Sequence, residues 1–523
     1  MPQLPQPYQM LDWRQKTKDY DAYVFDWNRT DELGPLIWKD GGRRNFPRET
    51  FGLYTAVGDI RQGPSRNTSS HESINTIAAV LSGGLVGIDK TNQDGYNYPY
   101  MLQNYFANDN GWKIMLNGTS GYAQDWWYNI LPNILYYGVC DIFPNVDGAD
   151  DLLRSIADRF AEADEKLAGN YNYSWFNYQT MTGVNSHIPA QQDAAGGHAW
   201  VLLQAYRHFG DVKYLERAIS ATKALNDQRE SRFYECILPF GIYTAAYLNM
   251  VSNNYYDIEK MLGWVFDGSK GRPGWGVLVG NWSGYDIYGL QGSITDGGGY
   301  AFLMNSFDMA WPLVPMVKYA PEWASAIGKW MLNNANATRL FFPCNIDDAH
   351  QYAPEMKNLT KNNIGYEGLR WSDRYGTYSV NPIAEGDGPS WMKGMPTSTM
   401  FSLYSTSSIG IFGAIVSTTD IEGILRLDCN ATDFYAERPY PTYLYYNPYN
   451  EAKEVTYTVK GDGKVDLFDL VDRKFLTKDV SGSCKIKVKA NNSRVVVGVP
   501  AGTPSNWEGD GRITADNHYL LAK

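Results

Sequence analysis

The chain has 523 residues, of which 44% are hydrophobic, 15% aromatic and 20% charged, with a formal net charge of -11. That length and apolar content suffice for one large core and a small second one. The acidic balance excludes a nucleic-acid partner: the longest basic cluster, Lys39 to Arg44, is broken by Asp40 and two glycines, so nothing is placed to neutralise a phosphate run.

Residues 1–65 read as an irregular arm anchored by Trp13, Tyr23 and Trp27. The opening MPQLPQPYQM lacks the apolar stretch of a signal peptide. The Asn-, Tyr- and Trp-rich composition nevertheless points to an exported protein, secreted or periplasmic. No stretch of about eighteen apolar residues occurs anywhere, so no membrane-spanning segment is expected.

From 66 to 435 the pattern is helical, broken by polar loops. Helices are predicted over 70–87, 97–108, 120–138, 149–165, 190–209, 211–227, 235–250, 254–265, 299–317, 321–337 and 397–417. The clearest is 149–165, where Leu152, Leu153, Ile156, Ala157 and Phe160 recur at helical spacing. The helix at 190–209 stops at Gly210, and Asp211 opens the next, which makes a tight αα-hairpin. Pro321 stands in the first turn of 321–337, a good start signal. The helix at 299–317 is apolar nearly all round, as interior helices are. Eleven predicted helices in consecutive hairpins approach the twelve of an (α/α)6 toroid, whose loops at one end form a cleft. A helical solenoid would need a fixed repeat, and none is present.

Beyond 436 the text alternates instead. Val455, Tyr457 and Val459 share one face, as do Ile486 and Val488, and Val495–Val497 reads as a buried strand. A small antiparallel β domain, sandwich-like, is predicted over 436–523. Asp462 to Asp466 lacks the ligand series of a calcium loop and reads as a turn.

The 39 Tyr and 17 Trp matter most where they stand in loops beside glycines and acids. Such rings offer a flat apolar face and a polar handle, which is what a sugar ring presents in return. Asp286 to Tyr300 is a glycine-rich loop before the apolar helix, and Asp296 stands at its mouth, as a catalytic carboxylate or as a helix cap. Ile364 to Tyr375 carries Glu367, Arg370 and Trp371. Glu367 and Arg370 either form a structural ion pair or act as a carboxylate with a sugar-orienting Arg. Pro382 to Trp391 adds Glu385 and Asp387 as reserves. Asp193 opens the helix at 190–209, with His198 inside it, a buried histidine or a ligand contact. Asp125, Trp126 and Trp127 form a possible stacking platform.

The candidate catalytic residues are therefore Asp296, Glu367 and Asp193, with Asp296 and Glu367 the preferred pair. The candidate substrate contacts are Trp126, His198, Trp275, Trp282, Tyr300, Arg370, Trp371 and Trp391. Two carboxylates across a glycosidic bond suit acid/base hydrolysis. No GxSxG or phosphate loop occurs. The five cysteines form no CxxC and the six histidines no tight ligand spacing, so free thiols, no metal and no cofactor are expected.

The hairpin 190–227, the loop-to-helix stretch Thr295 to Trp311 and the helix Pro321 to Leu340 resemble the six-hairpin glycosidase superfamily of (α/α)6-toroid enzymes. The resemblance covers about 65–430 and lies in architecture rather than in a signature. It implies an oligo- or polysaccharide as partner, with acidic or Tyr/His groups on loops at the toroid mouth. Three functions follow: a glycoside hydrolase, a polysaccharide lyase drawing on His187, His198, Arg272, Tyr300 or Arg370, or a noncatalytic glycan-binding protein.

Overall fold

The computed structural model describes residues 1–40, 46, 49–59, 72–108, 111–117, 125–252, 254–269, 274–295, 298–371, 380–386, 388, 394–507, 513–516 and 518–521. Its helices are α1 (Trp13–Val24), α2 (Ser73–Leu85), α3 (Tyr98–Leu102), α4 (Trp127–Ile142), α5 (Ala149–Leu167), α6 (Ala194–Phe209), α7 (Val212–Asn226) and α8 (Leu238–Val251). They continue with α9 (Ile258–Phe266), α10 (Leu303–Asp308), α11 (Ala310–Met316), α12 (Ala324–Ala337), α13 (Lys357–Thr360), α14 (Leu403–Thr406) and α15 (Gly410–Ile415).

Two layers of helix result. The inner one contains α2, α4, α6, α8, the short pair α10 and α11, and the pair α14 and α15. Each packs on the next, and α15 packs back on α2. Outside lie α1 against α15 and α2, α5 and α7 against α6, α9 against α8 and α12 against α11. Inner helices are apolar on most sides: along α8 Leu238 to Ala246 are all buried. The outer α5 and α7 bury one stripe only. At the centre Trp200, Phe240 and Trp311 meet edge to face, with centroids 5.5, 5.8 and 5.4 Å apart. The starting ends of α2, α4, α8 and α14 lie near one another, since the charges of Glu72 and Glu235 both reach Tyr128 and Tyr404.

Helices α6 and α8 approach closely, so that a Cβ on Gly241 would lie 2.6 Å from Gly196 Cα and 2.3 Å from a Leu225 methyl. Backbone cannot give way as a side-chain tip can. Gly241→Ala is therefore expected to lower stability by about 1–3 kcal/mol, read as a shift of the urea midpoint at unchanged slope.

Three features depart from the sequence expectations. The N-terminal arm contains α1, whose buried stripe is Trp13, Thr17, Tyr20, Asp21 and Val24. Upstream of it, residues 2–9 are strapped to α12: Asn333 and Asn336 donate to the carbonyls of Pro2 and Pro7 at 3.0 and 3.1 Å. Next, the loops between 275 and 385 form a five-stranded antiparallel sheet. Its strands are β1 (Trp275–Val277), β2 (Gln291–Ser293), β3 (Tyr300–Phe302), β4 (Gly368–Arg370) and β5 (Ile383–Glu385), in the order β5-β4-β3-β2-β1. The expected helix 299–317 thus opens as β3. It breaks again at Met309, because Pro312 has no N–H to give the Asp308 carbonyl.

Finally, C-terminal strands begin at 416 rather than 436. They are β6 (Val416–Thr418), β7 (Leu425–Asp428), β8 (Thr442–Asn447), β9 (Lys453–Thr458), β10 (Val465–Asp469), β11 (Lys474–Val480), β12 (Ser483–Val488) and β13 (Asn492–Pro500). Six form an antiparallel sheet in the order β6-β7-β8-β13-β10-β11, and β9 pairs with β12. Period-two alternation divides β8: Tyr443 and Tyr445 join Val455, Tyr457 and Ile486 in a small core, whereas Leu444 and Tyr446 join the main core, where α12 packs against this sheet. All five cysteines are free. Among the described residues no helix is long and apolar enough to cross a membrane.

Candidate active site

The shared end of the inner helices concentrates acids. Glu72 precedes α2, Asp125 precedes α4, Asp193 precedes α6 and Glu235 precedes α8. On outer helices an acid at this place is a cap. Asp12, Asp211 and Asp257 accept from the N–H groups of Gln15, Lys213 and Lys260 at 2.9, 3.0 and 2.9 Å. On inner helices it is not. Neither Glu72 nor Asp193 caps its own helix. Glu72 accepts from Asn117 Nδ2 at 2.9 Å, and Asp193 reaches across to the N–H of Tyr234 at 3.2 Å. The positive ends of these helices favour such anions, by about 0.3–1 kcal/mol each.

That Tyr234 contact ties α6 to the turn carrying Glu235. Glu235 is 5% exposed and holds φ at 60°, the left-handed region a side chain rarely adopts. Such backbone costs about 1–3 kcal/mol and persists where the surroundings impose it. Here Asn305 Nδ2, on α10, donates to Glu235 Oε2 at 2.7 Å, and Trp275 Nε1 donates to the Glu235 carbonyl at 3.3 Å. Trp275 also packs on Tyr234, with centroids 4.9 Å apart.

In the packing order of the inner helices, α2 and α8 are three steps apart either way, and the charges of Glu72 and Glu235 act on the same two tyrosines. These are Tyr128 on α4 and Tyr404 on α14, both half-buried. Burial raises both phenols well above their ordinary range, and the fields of Glu72 and Glu235 raise them further, so both stay protonated. The Tyr404 hydroxyl is buried and has no hydrogen-bond partner among the described residues. The same first turns carry more unpartnered polar atoms: Asn75 Oδ1 on α2, the Asn129 amide on α4, Asn305 Oδ1 on α10 and Ser405 Oγ on α14. Orphaned buried groups are uncommon in folded proteins; others lie away from this end, at Tyr20, Gln204 and Tyr443 among them. Beneath the first turns lies Asp308, fully buried beside Cys236 and Ser408 and pushed up to about 7 by burial.

The expected residues divide. Asp193 lies at this mouth. Glu367 is half-buried, and its carbonyl accepts from the N–H of Leu303, the first residue of α10, at 3.0 Å. Arg370 does not pair with Glu367: it pairs with Glu385, a buried neighbour across β4 and β5, and its guanidinium lies 4.0 Å above the Tyr300 ring. Trp282 and Trp371 meet edge to face at 6.0 Å, and a Cβ on Gly299 would strike the Trp282 ring at 2.6 Å. Trp275 and Trp282 are almost wholly buried, while Tyr300 and Trp371 are half-buried. Asp296, Arg272, Asp387 and Trp391 lie outside the described residues.

Trp126 and His198 are corrections, because both are core. Trp126 is fully buried, stacked with Tyr171 and Phe176. His198 Nε2 bonds the Tyr178 hydroxyl at 2.7 Å, and burial lowers its pKa to about 3, so it stays neutral. The small residues beside His198 serve the close approach of α6 and α8 and leave no room for a ligand. Glu72, Glu235, Tyr128 and Tyr404 were not foreseen. Their common signal was an acid or tyrosine immediately before, or in the first turn of, an apolar helix. Among the described residues no cluster of His, Cys, Asp or Glu is placed to hold a metal.

No protein-family model and no curated protein matches the chain. Solved structures similar to it include a glycoside hydrolase (10% identity, TM-score 0.38, 85% of this chain and 76% of that one). An unsaturated glucuronyl hydrolase specific for heparin is similar at 10% identity and TM-score 0.37, over 77% of this chain and 96% of the other. A GH127 beta-L-arabinofuranosidase from Geobacillus stearothermophilus T6 is similar at 11% identity and TM-score 0.36, over 98% and 82%.

Proposed function

We propose that the chain is an exported glycoside hydrolase built on an (α/α)6 toroid. In this reading it cleaves the glycosidic bonds of an oligo- or polysaccharide with Glu235 and a second carboxylate of the mouth, Glu72. The observation that carries this is Glu235 itself: a buried carboxylate on left-handed backbone, braced by Asn305 and by the Tyr234–Asp193 contact, at the end where unpartnered polar atoms converge. Two carboxylates supply what glycoside hydrolysis needs: one gives a proton to the departing oxygen, and the other activates water or attacks the sugar. Asp193 acts as a positioning residue. Asp296, Glu367 and the rings Trp282, Tyr300 and Trp371 belong to loops proposed to bind the glycan.

Hydrolysis is favoured over elimination by the tyrosines. At this mouth a lyase would draw on Tyr128 or Tyr404 as base, but both phenols are held protonated, and His198 is sealed in the core. Product mass on a polysaccharide panel tests the reading. Addition of one water to each cut is expected. An unsaturated, ultraviolet-absorbing product would mean a lyase, and binding without product a glycan-binding protein.

Tyr404→Phe separates a working hydroxyl from a structural one. Removing a buried hydroxyl that has no partner among the described residues is expected to leave the melting temperature unchanged or higher. Turnover is expected to fall by about ten- to a hundred-fold, the loss of one hydrogen bond in the reacting complex. Unchanged turnover would remove Tyr404 from the site.

A further inference from the structure

At the other end of the inner helices, the turn after α8 and the turn after α11 frame a surface furrow of about 450 Å³. That volume falls within the range of small-molecule sites, roughly 300–1,000 Å³. As α8 is 14 residues long, the furrow lies about 20 Å from Glu235 at 1.5 Å per residue. Tyr255 stands on one wall and is 90% exposed. Its exposure is not looseness. The Asn249 amide bonds both the carbonyl and the N–H of Tyr256, at 2.9 and 2.8 Å, and the Ser252 hydroxyl bonds the Leu248 carbonyl at 2.6 Å. The turn is thus clamped on both sides of the ring.

Trp323 and Tyr319 form the other wall, with Tyr319 fixed by its hydroxyl on Asp433 at 2.6 Å. Glu259 and Glu322 line the furrow, and neither forms an ion pair or hydrogen bond among the described residues. Nearby cations are engaged: Lys260 on the Asn226 carbonyl, and Lys318 on Asp433 and Asn430. Single exposed rings are ordinary. Four rings around one furrow, with two free acceptors and no free cation among the described residues, are not. An anionic ligand would be repelled. A chain of neutral sugars matches, since its apolar faces stack on rings and its hydroxyls donate to carboxylates.

We propose that this furrow is a second carbohydrate site, which grips a neutral polysaccharide on Tyr255 and Trp323 while Glu259 and Glu322 accept from its hydroxyls. The proposal rests on the glycan-acting reading above.

Electrophoresis of the whole chain through gels containing a β-1,4-glucan, a xylan, an arabinan or a galactomannan tests it, with polygalacturonate as the anionic control. The Glu235→Gln chain is expected to be retarded by at least one neutral polymer and not by polygalacturonate. Tyr255→Ala, a surface change, and Trp323→Ala, at a half-buried ring packed on the main core, are expected to weaken that retardation about ten-fold or more, with turnover of a short oligosaccharide retained. Unchanged retardation in both variants, or no retardation by any neutral polymer, would each overturn the proposal. The two readings fail separately. Retardation through Tyr255 without turnover sinks the hydrolase and keeps the furrow, and turnover without Tyr255-dependent retardation does the reverse.

Discussion

A Glu235→Gln chain is expected to fold like the wild type and to lose turnover on its glycan by about 10²–10⁴-fold, the usual worth of a positioned acid or base. The amide keeps the volume and one acceptor oxygen, so the 2.7 Å bond from Asn305 survives. What disappears is the exchangeable proton and the charge. That charge sits buried among other carboxylates, whose fields also reach Tyr128, Tyr404 and Cys236. Neutralising it is expected to leave the melting temperature unchanged or to raise it, as at sites where function and stability conflict. A fall in activity together with a fall in melting temperature would make Glu235 a structural residue. Full activity in Glu235→Gln with loss in Glu367→Gln would move the chemistry to β4.

The helical body was legible in the sequence because its signals are local. Leu152, Ile156 and Phe160 repeat with the helix, and Gly210 followed by Asp211 marks a stop and a start; both pairs lie where expected. The helix at 13–24 was not legible, since its inward face carries Thr17 and Asp21 among the rings. The five-stranded sheet was hidden for a different reason. Its strands are three residues long each, rich in glycine, and partly paired over long separations: Gly368 faces Phe302 on one side and Glu385 on the other. Three residues show no alternation that a reader could use.

The site was legible only in part. Acids among glycines and rings pointed to Asp296 and Glu367, and to tryptophans that pack on other rings, Trp282 on Trp371, Trp275 on Tyr234 and Trp126 on Tyr171. Asp193 was found, yet it resembled a cap. The informative distinction is invisible in sequence: Asp211 and Asp193 occupy the same place before a helix, and only the fold shows that one bonds its own backbone while the other reaches to Tyr234. Glu235 offered less still. Its strain comes from the turn between α7 and α8 and from Asn305, seventy residues away.

The other large effect lies at the far end of the same helices. Asp433→Asn is expected to lower stability at pH 7 by about 3–5 kcal/mol, the cost of leaving buried partners uncompensated. Asp433 is completely buried in the loop between β7 and β8. It accepts from Lys318 at 2.7 Å, from the Tyr319 hydroxyl at 2.6 Å and from the Tyr243 hydroxyl, with Arg207 3.8 Å away. Arg207 closes α6 and Lys318 follows α11, so both cations also meet the negative ends of helices. Burial alone would raise the Asp433 pKa, but Lys318 and Arg207 outweigh it and hold the group below the ordinary carboxylate range. The sign follows. Its contribution is complete above the unfolded value, about 3.9, and fades as pH falls through the lowered native value. Urea titrations of wild type and Asp433→Asn should therefore differ most at neutral pH and converge towards pH 2. A gap that stays constant would trace the effect to lost packing rather than to charge. Equal stability at pH 7 would mean that the network does not hold the helix ends, and the approach of Asp193 to Glu235 would then depend on the Gly196–Gly241 contact instead.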